Sequence, residues 1–212
     1  MKFNPSKCHI LSIGHQRNKA VLSYFLGPNL LTNVDSYPYV VVTVSSDLRC
    51  EKHINTIAAK ATRILDFVRH NVYYCDLDAK ALAYLSLVRP LLEYAAAAWD
   101  LYRTRDINTL EMVQRRAARF AKHDYRCTTS VTKLLGELDW PVLSDRCTSV
   151  AFLQSSRWSL CHFSVIYLSR QTRRADHTSF IPISARTDVY KYSFFPRILL
   201  DWNTLSAEVR LK

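Results

Sequence analysis

Arg115, Arg119, Lys122 and Arg126 recur at intervals of four, three and four residues, the spacing that lines up side chains along one side of an α-helix. A row of guanidinium and ammonium groups can follow a phosphate backbone, each contact releasing condensed counterions. Four such contacts on a duplex imply a log–log salt slope of roughly −3 to −4. A solvated helix face is the commoner fate of charged residues, but two features favour phosphate here. Glu111 and Asp124 fall off the row, and residues 101–126 hold seven Lys/Arg against three acids. Lys60 and Arg63 add cations to an earlier helical segment. A second basic stretch, Arg157 to Arg197, has seven Lys/Arg opposed by Asp176 and Asp188, with Trp158, Phe163, Tyr190 and Phe194 among its interleaved aromatics. Such rings either stack unpaired bases or fill the core of a small subdomain.

Catalytic patterns are scarce by comparison. Three scattered glycines exclude a phosphate-cradling loop, and there is no Gly-x-Ser-x-Gly. Six cysteines without a Cys-x-x-Cys read as reduced thiols rather than a zinc site or disulfide framework. Asp35 and Asp47 lie at opposite ends of one strand-like run and fit turn and cap roles better than Mg²⁺ binding. No catalytic residue, metal ligand or cofactor is expected in this chain. The net charge of +11 and pI near 9.5 favour nucleic acid or an anionic surface as partner. The longest apolar run, Leu91 to Trp99, is interrupted by Glu93 and too short to span a membrane. Met1–Lys7 lacks the apolar core of a signal peptide, so an intracellular protein, nuclear or cytoplasmic, is expected. Nothing in the sequence sets the oligomeric state.

The elements that must carry these residues fall into an α+β, mainly α, pattern. Residues 1–50 read as short antiparallel strands: Cys8–Ile13, a hairpin turning at Gly27-Pro28-Asn29, and a buried strand over the β-branched run Tyr39–Val44. From Glu51 to His70 the apolar residues Ile54, Ile57, Ala61, Ile64, Leu65 and Val68 repeat at helical spacing, opposite Lys52, Lys60, Arg63 and His70. A second helix, Ala79 to about Ala97, is capped by Asp78 and kinked or split at Pro90. A third runs from Ile107 to Lys122, capped by Asp106, with a core stripe of Ile107, Leu110, Val113, Ala117 and Ala121. Short helices follow at Val131–Leu138 and from Val142 to about Ser155. Three regions result: a β region 1–50, a helical region 51–147, and an irregular basic, aromatic tail 148–212.

Leu87-Val-Arg-Pro-Leu-Leu-Glu-Tyr-Ala-Ala-Ala-Ala-Trp-Asp100 and Leu110-Glu-Met-Val-Gln-Arg-Arg-Ala-Ala-Arg-Phe120 resemble the region beyond the catalytic palm in reverse transcriptases of jockey-like non-LTR retrotransposons. Leu138-Asp-Trp140 and Arg146, and later Tyr192-Ser-Phe-Phe-Pro-Arg-Ile and Asp201-Trp-Asn-Thr-Leu205, extend it over nearly the whole chain. The resemblance implies the end of a palm, a helical thumb that clamps an RNA/DNA template–primer duplex, and a closing tail. It places Asn4 and Lys7 at the palm end near the incoming nucleotide, and Tyr39, Val40 and Val41 at the primer grip. The grip usually reads Tyr-Leu-Gly-Val, so Val41 stands where glycine is common, and Cys147 stands where a second Arg is usual. The family's Mg²⁺-binding aspartates would lie before Met1, which implies a non-catalytic fragment of an RNA-directed DNA polymerase. A host-retained protein-interaction module and a relic without function stand as alternatives.

Overall fold

Two β-branched residues make a two-residue turn in the N-terminal part, and they show how the strands are cut. In the computed structural model, which describes residues 4–13, 22–96, 99, 103–147, 182 and 184–204, Tyr39 ends one strand and Val42 begins the next. Val40 and Val41 lie between them at φ 46° and 75°. Positive φ at both central residues is the type I′ geometry, whose twist matches paired antiparallel strands. The expected buried strand over Tyr39–Val44 is therefore a hairpin tip, with Val40 68% and Val41 57% exposed. The preference for β-branched residues in strands yields here to the need for a two-residue reversal.

The chain divides into two compact units, Met1–Thr56 and Ile57–Lys212, the boundary falling inside the first long helix. In the N-terminal unit, Asn4 caps a 3₁₀ turn (Pro5–Lys7), its Oδ1 accepting from the Ser6 N–H at 3.1 Å. Six short strands follow: β1 (His9–Leu11), β2 (Phe25–Leu26), β3 (Asn29–Leu30), β4 (Thr32–Val34), β5 (Ser36–Tyr39) and β6 (Val42–Ser45). β2–β3 and β5–β6 are antiparallel hairpins, the first turning at Gly27 (φ 61°) as expected. β1 and β4 instead pair parallel, His9 opposite Thr32, which corrects the all-antiparallel reading. Parallel pairing needs a long crossover, and the connection from Ser12 to Leu31, with the β2–β3 hairpin inside it, supplies one. The Tyr37 hydroxyl donates to the Lys7 carbonyl at 3.0 Å, and the Thr43 N–H donates to His53 Nδ1 at 3.3 Å.

The remaining elements are helical. α1 (Glu51–Asn71) buries Ile54, Ile57, Ala61, Leu65 and Val68, while Ile64 lies at the exposed flank of that stripe. α2 (Leu77–Ala83) is capped by Asp76, not Asp78, with Asp76 Oδ1 accepting from the Ala79 N–H at 3.1 Å. A π turn (Tyr84–Val88) leads into α3 (Arg89–Glu93), where Pro90 occupies the first turn. Proline has no N–H to give the previous turn, and the widened π turn, in which the Arg89 N–H reaches back to the Tyr84 carbonyl, absorbs the mismatch. The expected split at Pro90 is present, but the helix stops at Glu93, with Ala95 left-handed at φ 53°.

α4 (Thr104–Lys122) begins before Ile107, so Asp106 is not the cap but a buried residue of the first turn. α5 (Val131–Glu137) ends with Asp139 at φ 53°, the Trp140 N–H reaching the Leu135 carbonyl at 2.9 Å. This closing motif turns Trp140 inward. Residues 143–147 form α6, and the continuation expected to Ser155 lies outside the described residues. The tail expected to be irregular contains α7 (Asp188–Lys191) and α8 (Phe194–Thr204), which buries Pro196 and Leu199. Proline in a helix's first turn is tolerated, so Pro196 masked α8 without preventing it.

The architecture is thus mainly α-helical with a few short strands. Among the described residues, no helix is long and apolar enough to cross a membrane.

Candidate nucleic-acid interface

The four-cation row depends on the helix continuing through Arg126, and it does not. α4 ends at Lys122, where His123 turns left-handed (φ 52°) and the Asp124 N–H bonds the Arg119 carbonyl at 3.1 Å. Arg126 therefore sits in the following turn. Its guanidinium meets the Asp124 carboxylate through Nε and Nη2, both at 3.2 Å, and Thr129 Oγ1 donates to the same carboxylate at 2.8 Å. These hydrogen bonds, led by that from the Arg126 side chain, hold the Asp124 carboxyl well below the usual carboxylate range and raise the Arg126 guanidinium further. Arg119 Nη1 is spent on the Arg126 carbonyl at 2.9 Å, and Lys122 Nζ pairs with Glu137 at 3.0 Å. Three of the four cations thus close the turn after α4 and dock α5 beside it. Spacing in the sequence ran on past the point where the backbone left the helix.

Arg115 remains exposed on α4, and Arg116 beside it, absent from the sequence-derived row, is exposed as well. Lys60 and Arg63 are exposed on α1, as expected. Among the described residues, Lys60, Arg63 and Arg116 make no ion pair, and Arg115 feels Glu111 only as a neighbouring charge. Tyr39, Val40 and Val41 are the exposed hairpin tip, Lys7 is exposed, and the Asn4 side chain is engaged in its cap. Among the described residues no group of three or more His, Cys, Asp or Glu could hold a metal ion.

Residues of α3, α4, α6 and the loop at Trp140 converge elsewhere, on a largely buried polar network. Glu93 accepts from Arg89 Nε at 2.8 Å and from Arg146 Nε and Nη2 at 2.5 and 3.0 Å. Burial pushes the Glu93 carboxyl up, but the Arg146 and Arg89 hydrogen bonds outweigh it and leave it below its ordinary value. Glu111 Oε1 accepts the Leu143 and Ser144 N–H groups at 2.7 and 3.3 Å, capping α6 from another helix. Burial prevails there and raises the Glu111 carboxyl. Gln114 accepts from the Tyr84 hydroxyl at 3.1 Å and donates to the Pro141 carbonyl at 2.9 Å. Trp140 stacks on Tyr84 at 4.3 Å, and burial drives both the Tyr84 hydroxyl and the Cys147 thiol, the latter to about 12, away from ionisation.

Perturbed groups often mark reactive sites. Here the Glu93 carboxylate, Glu111 Oε1, the Gln114 amide and the Tyr84 hydroxyl are each engaged by a backbone group or a fixed side chain, which gives them a structural role. Sequence reasoning missed Tyr84, Glu111 and Gln114 in these roles. The available signal was the pair Glu111 and Gln114, set three residues apart beside the apolar stripe Leu110, Val113 and Ala117. Comparison with family models, with curated proteins and with solved structures gave no match.

Proposed function

We propose that the chain binds an RNA/DNA template–primer duplex without catalysing polymerisation, as the thumb-side part of a non-LTR retrotransposon reverse transcriptase. The observation that carries this reading is the pair of exposed cation sets, Arg115 and Arg116 on α4 and Lys60 and Arg63 on α1, on a chain of net charge +11. Unpaired surface cations leave their counterions in solution exchange and are free to neutralise phosphates. The resemblance of the Arg89–Glu93, Glu111–Arg119 and Trp140–Arg146 segments supports the family origin, and their convergence on one network explains why those residues would be kept together.

The test is fluorescence anisotropy with an RNA–DNA hybrid across a salt series. The quadruple variant K60Q/R63Q/R115Q/R116Q is expected to flatten the log–log salt slope by roughly 0.9 per lost contact. An unchanged slope removes the duplex reading. Primer extension with Mg²⁺ is expected to yield no product, and product would refute the non-catalytic assignment.

A further inference from the structure

The helical run from α2 through α3 presents an outer stripe without charge. Leu82, Ser86, Leu87, Pro90 and Tyr94 are exposed along it, Leu82 at 66%, Leu87 at 50% and Tyr94 at 49%. Four residues overshoot one α-helical turn by about 40°. The wider π turn (Tyr84–Val88) takes up that drift and keeps Leu82, Ser86 and Pro90 close to one line. The charged side chains of the same run are withdrawn from solvent, Asp78 aside. Arg89 and Glu93 are 14% and 15% exposed and bonded to each other, and Glu93 holds Arg146 as well. Lys80 is buried beside the Tyr73 and Phe120 rings, which leaves Asp78, one turn before Leu82, at the rim. The Ser86 hydroxyl turns back onto the Leu82 carbonyl at 2.7 Å, so the middle of the stripe offers a partner little polar surface.

We infer that this stripe is a self-association surface, on which a second copy of the chain seats the same stripe across a two-fold axis. Exposed apolar patches mark interaction sites, and charge selects the occupant. Nucleic acids and anionic surfaces draw their affinity from cations, and between Leu82 and Tyr94 the stripe presents none. Two copies of a chain of net charge +11 repel one another. A face without cations is where their approach meets the least repulsion. In a two-fold pairing each patch must complement itself, and leucines flanking a small serine can. The Leu82 and Leu87 side chains of one helix fill the space left over Ser86 of the other, ridge into groove. Length sets the strength of the pair. From Leu82 to Tyr94 the stripe runs about 18 Å along the axis, short for a standard interface, so the dimer is weak and reversible. The surface uses none of Lys60, Arg63, Arg115 and Arg116 and does not rest on the duplex reading.

The experiment is sedimentation velocity on the nuclease-treated full chain, from about 1 µM to about 300 µM, where weak interfaces assemble. The wild type is expected to pass from 24.6 kDa to twice that mass as concentration rises. Higher salt is expected to strengthen the dimer by screening the net charge, the reverse of its effect on nucleic-acid binding. Leu82→Lys/Leu87→Lys and Leu82→Glu/Leu87→Glu are each expected to stay monomeric, and an equal mixture of the two to associate again. That rescue is specific to a stripe that faces itself. Ser86→Arg, also expected to stay monomeric, replaces a double variant that circular dichroism shows to be unfolded. A wild type that stays monomeric overturns the inference, as do variants that still dimerise, a mixture that stays monomeric, or an association that salt disperses. A monomeric wild type that retains another protein, where the lysine variant does not, overturns the second copy as occupant and assigns the face to that protein.

Discussion

Replacing Glu93 by Gln removes one negative charge from between two guanidinium groups and leaves the shape of the side chain intact. Glu93 and Arg89 are 15% and 14% exposed, so water reaches them poorly, whereas Arg146 at 34% can rehydrate in part. Glutamine keeps one oxygen acceptor but turns an amide NH₂ toward a guanidinium that has nothing to accept it. Hydrogen bonds to charged groups contribute about 1.5–3 kcal/mol each, and breaking a buried pair costs more than a surface one. Allowing for the exposure of Arg146, the expected loss is about 2–4 kcal/mol. For a chain of this size that lowers Tm by roughly 5–12 °C. The acid dependence supplies a second reading of the same bond. A carboxyl depressed by folding stabilises the native state above its unfolded value, and that stability is lost as pH falls from 4.5 through the lower folded value. Urea unfolding from pH 7 to pH 3 should therefore show a wild-type stability decline over that interval that E93Q lacks. A variant within about 0.5 kcal/mol of wild type at pH 7, or with an unchanged acid limb, refutes the clamp as a stabilising element.

Val40→Asn/Val41→Gly should stabilise the β5–β6 hairpin by roughly 1–3 kcal/mol, since both residues sit at positive φ and β-branched side chains are strained there. Slower amide hydrogen exchange at Val42 and Val44 is the check, and unchanged exchange contradicts the turn geometry. Glu111→Gln should keep the α6 cap and be at least as stable as wild type at pH 7, because the raised Glu111 carboxyl makes the native state lose stability as pH rises through its titration. Glu111→Ala should cost about 1–3 kcal/mol in the same urea assay by orphaning two N–H groups. Native-state thiol labelling should modify the exposed Cys75 and Cys127 rapidly and leave the buried Cys147, its thiol raised to about 12, unreacted until denaturant is added.

Local pattern alone determined a good deal of this protein. The apolar repeats at Ile54–Val68 and Leu110–Ala121 fixed two helices, Gly27-Pro28 fixed a hairpin, and Pro90 fixed a break, because each effect acts over a few neighbouring residues. The cations Lys60, Arg63 and Arg115 were legible as solvent-facing for the same reason. Tertiary structure decided the rest. The end of α4 at Lys122 was legible in the sequence, but the closing of the turn beyond it, around left-handed His123 by Arg119, Asp124 and Arg126, joins groups that no helical periodicity relates. The parallel pairing of β1 with β4, and the meeting of Glu93 with Arg146 and of Tyr73 with His123, join residues more than twenty positions apart. Charges and rings at such distances are neutralised or stacked only by the packing that brings them together.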